Sequence, residues 1–557
     1  MNLKRFLFPS LLVSAALALI LRVLARRAPA KPVIKSAAYE AIDAYIERQM
    51  RRLSMPGVSL AIVEGDRVVH LRGFGKAHPG GEPPTPQTPF ALGSTTKSFT
   101  ALAVMQLVEA GKIDLDAPVQ RYLPWFRVAD PQASAQMTVR HLLHQTSGLP
   151  TWVGEVPLTN FDDSPGATER QARALSTLKL TRPVGSAFEY SNMNYNLLGP
   201  IIEVASGESY EDYVQKQIFT PLGMSHTYTS QAMAKQNGLA AGHRYWFMIP
   251  VAAPNLPLPR GSLPGGMIIS CAEDMARYLI ALLNGGRYGN AQILSAAGVD
   301  ELLRGVADFL VMGRSIAQYG MGWLVSQIGQ TKLVSHGGTL PDFGSHMALL
   351  PEQKKGVVLL FNANNHWMMP PLEEFGTGVD ALLAGEQPPP APIPFTGMIP
   401  WMLRAQGIIP ALQIVGVAAT LWRLRRWHLD PERRPVGGRA WGLHILLPLI
   451  PNLLVALTLR PMLGKRRGYL MLYTPDCSWT ALVCGSFALV WSFLRTGLVL
   501  GALRRASFKT DFPLTLPCIA SLCTIQRSPP RERDAIFAPR GTRRRMMIRR
   551  ERVRFSL

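Results

Sequence analysis

Cysteine is scarce in this 557-residue chain: there are five, and only Cys271 lies between residues 36 and 385. No disulfide framework can form within that region, and no metal-binding cysteine spacing occurs there. Cys518 and Cys523 lie far downstream, without the second pair that a zinc site needs. No G-x-S-x-G is present either, so a nucleophile elbow has no support. Acidic residues are the third shortage, 37 against 59 Lys and Arg, for a net charge of +22. The excess gathers at the end, where from Arg504 onward fourteen basic residues face four acids. Such a tail does not imply nucleic acid, because basic segments beside membrane helices give the same balance. Residues 504–557 read as a disordered, solvated or lipid-facing segment; their abrupt change of character also fits a shifted reading frame.

What is present divides the chain. Lys4 and Arg5 precede an apolar run over 6–24, so residues 1–30 read as a signal peptide or a retained signal-anchor. Residues 36–385 have the patterning of a folded domain. A helix is expected over 36–53, and a hairpin over 58–63 and 67–72 around Glu64-Gly65-Asp66. A helical, loop-rich stretch follows from Asp114 to about Leu258. Strands return over 322–326, 332–336, 345–350 and 356–361, joined by short turns. This predicts an α+β fold whose antiparallel sheet is built from both ends of the domain around a helical insert. A proline-rich linker (386–395) leads to residues 396–503. Apolar runs at 407–422, 442–459 and 479–494 there predict three transmembrane helices, the first and last somewhat short. The loop 423–439 carries six arginines and two acids; 460–476 carries four basic residues and one acid. Positive-inside counting predicts a multi-pass protein of the cell membrane, with 423–439 cytoplasmic and 36–385 extracytoplasmic.

The chemistry centres on Ser94-Thr95-Thr96-Lys97. Gly93-Ser94 opens an apolar run from Phe99 to Val108 that Gly111 closes, the pattern of a buried helix. Residues i and i+3 share a face, so Lys97 stands one turn behind Ser94. Burial and the positive helix end disfavour an ammonium, making Lys97 a possible base for a Ser94 nucleophile. The bland alternative is an N-cap serine with a solvent-facing lysine. Tyr190 and Asn192, two apart, can face one pocket. His336-Gly337-Gly338 is expected to end a strand, where two glycines let a substrate backbone lie against the edge. A free N–H there, with that of Ser94, would form an oxyanion hole. His141, His144 and Ser147 look catalytic, but Leu142-Leu143 and Gly148 mark a structural turn after a helix. A Ser–His–Asp triad through His336 and Asp342 would leave Lys97 and Tyr190 without a role.

In this order, S-x-x-K, Y-x-N and H-x-G resemble the penicillin-recognising serine hydrolases. The nearest resemblance is to the class C β-lactamase-like branch, with its esterases, D-aminopeptidases and D-alanyl-D-alanine carboxypeptidases. The sequences at 111–119, 138–150 and 190–199 match as well, and the likeness covers roughly 37–385. It implies a three-layer α/β/α fold with a helical subdomain and no metal or cofactor. It implies that Ser94 is acylated, that Lys97 and Tyr190 share the base role, and that Asn192 contacts the substrate. The backbone N–H groups of Ser94 and Thr339 would hold the oxyanion. The third motif is often K-T-G, whose Lys binds a substrate carboxylate. Here His336 and Gly337 stand in its first two places, which favours an esterase or peptidase over a β-lactamase. The expected partners are a small-molecule, peptide or ester substrate and membrane lipid. The rival reading is a sensor or binding ectodomain with little turnover.

Overall fold

Helix α1 (Ala37–Leu53) leads into a hairpin of β1 (Gly57–Glu64) and β2 (Arg67–Gly75), whose turn places Gly65 at φ +61°. The remaining strands of the same sheet arrive only after the helical insert. They are β3 (Ala307–Val311), β4 (Arg314–Tyr319), β5 (Leu324–Ile328), β6 (Thr331–Thr339), β7 (Gly344–Leu350) and β8 (Lys355–Phe361). Their order is β2-β1-β8-β7-β6-β5-β4-β3, antiparallel throughout, with Val58 opposite Phe361 where the two ends of the domain meet. This computed structural model describes residues 37–507 except 163, 165, 254–255, 312, 390–395 and 436. The N-terminal apolar run, most of the proline linker and the basic tail with Cys518 and Cys523 lie outside the described residues.

The central strands are apolar on both faces because both faces are covered. Leu60, Ile62, Ala348, Leu350, Val357 and Leu359 pack in one core with α1 and α5 (Met369–Ala384). Their strand neighbours Ala61, Val63, Met347, Leu349, Val358 and Leu360 face the other core. That second core holds α2 (Thr96–Glu109), α3 (Asn192–Ser206) and α4 (Ala272–Leu283). Period-two alternation therefore sorts side chains between two cores rather than between core and water. The result is the three-layer arrangement of helices, antiparallel sheet and helices.

Two strand assignments need correction. Strand β6 does not end at His336 but continues to Thr339, so the His-Gly-Gly motif lies within it. The hairpin β3–β4 adds two strands to those expected: only its ends, Ala307 and Tyr319, are buried while Leu310 and Ile316 are exposed, so no apolar run marks it. The helical insert also contains a hairpin, His243–Trp246 with Ile249–Ala252. Its turn residues Phe247 and Met248 have φ of +52° and +67°, a conformation that usually needs Gly, Asn or Asp. Tertiary contacts hold it: Met248 is buried, and the Phe247 N–H donates to Asp476 Oδ2 at 3.1 Å.

Three C-terminal helices, Ile399–Leu429, Gly438–Leu457 and Pro475–Arg504, are long and apolar enough to cross a membrane. The outer two exceed the apolar runs read from sequence because helix continues past them, over 399–406 and 423–429 in the first and to Arg504 in the third. Their side chains, Leu412, Ile414, Leu454 and Val490 among them, are largely exposed. Between the second and third, α6 (Arg467–Tyr473) docks on the folded domain. Arg466 grips Glu155 with two hydrogen bonds of 2.5 Å, and a 2.9 Å bond joins the Tyr469 hydroxyl to His366 Nδ1. Asn365 Nδ2 donates to Asp476 Oδ1 at 3.1 Å. Tyr469 and Tyr473 stack 4.3 Å apart within the domain's own core.

Candidate active site

Ser94 lies in a single 3₁₀ turn, Gly93–Thr95, ahead of α2, and neither helix start is capped by a side chain. Its hydroxyl is therefore not spent on capping, contrary to the bland reading. The turn is seated against the sheet. Thr95 Oγ1 and Ser345 Oγ lie 3.0 Å apart and both donate to the Leu92 carbonyl, at 3.0 and 2.6 Å. Gly93 has φ +61°, and a Cβ there would lie 2.7 Å from Thr339 N. Glycine thus brings the Ser94 and Thr339 backbones together. Gly338 has a different task from the one expected. A Cβ on it would overlap the Leu92 carbonyl and Ser345 Oγ, at 1.9 and 2.2 Å, so protein, not substrate, fills that space.

Lys97 is completely buried. Its Nζ lies 3.0 Å from Ser94 Oγ, 2.7 Å from Asn192 Oδ1 and 2.5 Å from the Gly265 carbonyl. None of these partners is anionic, and burial holds the amine well below its ordinary pKa. A neutral amine has two N–H donors and one lone pair. Its donors match the Asn192 and Gly265 oxygens, leaving the lone pair for the Ser94 hydroxyl proton.

Tyr190 and Asn192 reach the same pocket from the start of α3. The Lys97 Nζ is 5.0 Å from the Tyr190 ring centroid, and the phenol makes a hydrogen bond with Ser94. Burial raises the phenol's pKa above its ordinary value; the Ser94 bond opposes this and the Glu373 charge adds to it. Tyr190 is thus a neutral phenol at rest. Gln145, which sequence reasoning passed over, braces this segment. At φ +59°, its side-chain oxygen accepts from Ser191 N–H at 2.9 Å and from Asn194 Nδ2, while its carbonyl accepts from Glu189 N–H at 2.8 Å. Nothing local in the sequence marks this left-handed position. Asn192 Nδ2 lies 3.4 Å from the Gly154 carbonyl, next to the Glu155 that Arg466 holds.

His336 is buried, and burial, with Lys97 as a smaller contribution, pushes its pKa down to about 3. Its Nδ1 is 2.6 Å from the Gly337 carbonyl and its Nε2 is 3.5 Å from the Tyr319 hydroxyl. Asp342 is not among these partners, so no Ser–His–Asp relay is formed. The other candidates are structural. His141 completes a capping box with Thr138, Ser147 Oγ donates to Asn194 Oδ1 at 2.6 Å, and His144 is buried with its pKa lowered to about 4 by desolvation. The structure thus gathers Ser94, Lys97, Tyr190, Asn192, His336 and the Gly337–Thr339 backbone around one cleft.

Fold and cleft together define the serine-hydrolase class. The family described as Beta-lactamase matches residues 42–373, and the chain belongs to it. It is 29% identical over 345 residues to Protein flp of Staphylococcus aureus (strain COL), covering 61% of this chain and 66% of that relative, just under two thirds. It is 31% identical to Penicillin-binding protein 4 of Amycolatopsis lactamdurans, over 55% of this chain and 81% of the relative. Among solved structures, the octameric penicillin-binding protein homologue from Pyrococcus abyssi aligns at TM-score 0.55 and 30% identity, covering 64% and 80% of the two chains. D-amino acid amidase from Ochrobactrum anthropi SV3 aligns at TM-score 0.51 and 29% identity, covering 59% and 92%.

Proposed function

We propose that this protein hydrolyses an ester or amide bond through an acyl-enzyme on Ser94. The observation that carries the reading is the buried Lys97 amine, 3.0 Å from Ser94 Oγ with no acid beside it. Lys97 takes the Ser94 proton as Oγ attacks the carbonyl carbon. The N–H groups of Ser94 and Thr339 hold the resulting oxyanion. The Tyr190 phenol relays the proton to the leaving group as that bond breaks, and Asn192 Nδ2 orients the substrate. Water, deprotonated by the same base, then releases the acid and restores Ser94. Lys97 is the resting base and Tyr190 the relay, a division supported by the opposite directions in which burial moves their pKa values. A neutral His336 in the third motif favours esters, peptides or simple amides over β-lactams, and the amidase relative supports this. A fluorophosphonate should label Ser94, and p-nitrophenyl esters should turn over many times and faster than nitrocefin. Labelling without turnover would favour a sensor, and nitrocefin turnover matching the best ester would defeat the specificity argument.

The same reading places the protein in the cell membrane with its catalytic domain extracytoplasmic. Because α6 docks on that domain, the segment joining the second and third apolar helices shares its side, and three crossings put 430–437 opposite. The six arginines of 423–439 favour the cytoplasm for that loop. In intact cells, a membrane-impermeant thiol reagent should label single cysteines placed in 36–385 but not in 430–437. The reverse pattern would invert the topology and make a cytoplasmic substrate the expectation.

A further inference from the structure

We propose that Glu373 selects substrates bearing a cationic, ammonium-type group, held over Gly337 beside the reacting serine. This rests on the hydrolase reading above. Strand β5 pairs with β6 only as far as Ser335, so no strand covers the β5-side edge of β6 from His336 to Thr339. Within that stretch the two glycines differ. The space beside Gly338 is filled by Leu92 and Ser345, whereas a Cβ on Gly337 would meet nothing nearer than 3.8 Å. One of the two atoms at that distance is Glu373 Oε1. The missing side chain thus leaves a hollow with a carboxylate for a wall.

Glu373 is exposed to solvent. It makes no hydrogen bond or ion pair with any described residue. The acids beside it on α5 are already used: Glu374 pairs with Arg52 at 2.9 Å, and Asp380 binds His346 Nε2 at 2.8 and 3.0 Å. Glu373 acts electrostatically on Tyr190, so its charge is felt at the catalytic cleft. Burial disfavours the charged forms of Lys97 and His336, so neither is a strong counter-charge to it. His346 also feels Glu373, but its own charge is balanced by Asp380. A neutral substrate displacing water from this hollow would leave the carboxylate desolvated and unpaired, and an anionic one would meet like charge. An ammonium satisfies it. The site therefore discriminates by repulsion as well as attraction.

The test compares three p-nitrophenyl esters: 5-(trimethylammonio)pentanoate, its neutral isostere 6,6-dimethylheptanoate, and the glutarate monoester. In the full-length protein, kcat/KM should fall in that order, with the cationic ester favoured over the neutral one by roughly 10-fold, the effect of one partly solvated charge pair. Glu373→Gln should bring that ratio close to one, Glu373→Lys should reverse it, and Glu373→Asp should retain it. Reading the ratio within each variant removes the effects of expression and folding. Neutral-ester turnover at Ser94 with no charge preference, or a preference that survives Glu373→Gln, overturns this inference alone. Absence of both ester turnover and fluorophosphonate labelling overturns the hydrolase reading, and this inference with it.

Discussion

Lys97→Ala is expected to slow acylation by on the order of 10²–10⁴, the usual range for a positioned general base. The variant removes the only amine within reach of Ser94 Oγ among the described residues and leaves the Asn192 and Gly265 oxygens in place. Lys97→Arg should fail as well, because a guanidinium stays protonated where an amine does not. A second readout follows from linkage. The folded-state pKa of Lys97 lies below that of the unfolded chain, about 10.4, so between those values the unfolded state binds more protons. Stability should therefore rise with pH across that window, and Lys97→Met should lose that part of the slope. Stopped-flow acylation by a p-nitrophenyl ester measures the first effect and urea unfolding at several pH values the second. Wild-type acylation in a folded Lys97→Ala variant would remove the mechanism.

Gly93→Ala should be nearly as damaging without touching a reactive group. Residue 93 has φ +61°, which costs an L-residue about 1–2 kcal/mol, and its new methyl would sit 2.7 Å from Thr339 N. Either the Ser94 turn or the end of β6 must move, separating the two proposed oxyanion donors. Loss of one such donor typically costs about 10²–10³ in kcat. The prediction is a fall of that size with the fold retained by circular dichroism. Gly337→Ala, whose methyl would have 3.8 Å of clearance, is the comparison for folding. A Gly93→Ala enzyme with wild-type kcat would show that the close approach is not needed.

The parts legible in sequence were those whose signal is local. Ser94 and Lys97 share a helix face at fixed spacing, and the strands from Lys332 to Phe361 are apolar because both their faces are covered. The Phe247–Met248 turn was hidden because its left-handed residues are held by Asp476, more than two hundred positions away. Glu373 and Glu374 stand side by side on α5, and a rotation of about 100° per residue sends one toward Gly337 and the other to Arg52. Nothing local says which. Lys465-Arg466-Arg467 contributed only to charge counting, although Arg466 is the partner of Glu155. Gly338 looked like room for a substrate because its filler, Ser345, arrives from the neighbouring strand.

The docking of α6 changes what the proline linker means. Residues 386–395, fully stretched, would reach about 33 Å, enough for a tethered enzyme to tumble and sample a wide zone above a bilayer. Arg466 on Glu155, Tyr469 on His366 and Asp476 on Asn365 together cancel that freedom. Were the three apolar helices to lie in a membrane, these contacts would hold Ser94 at one stand-off from it, a ruler rather than a flail, and the proposed hydrolysis would then favour bonds carried at that height.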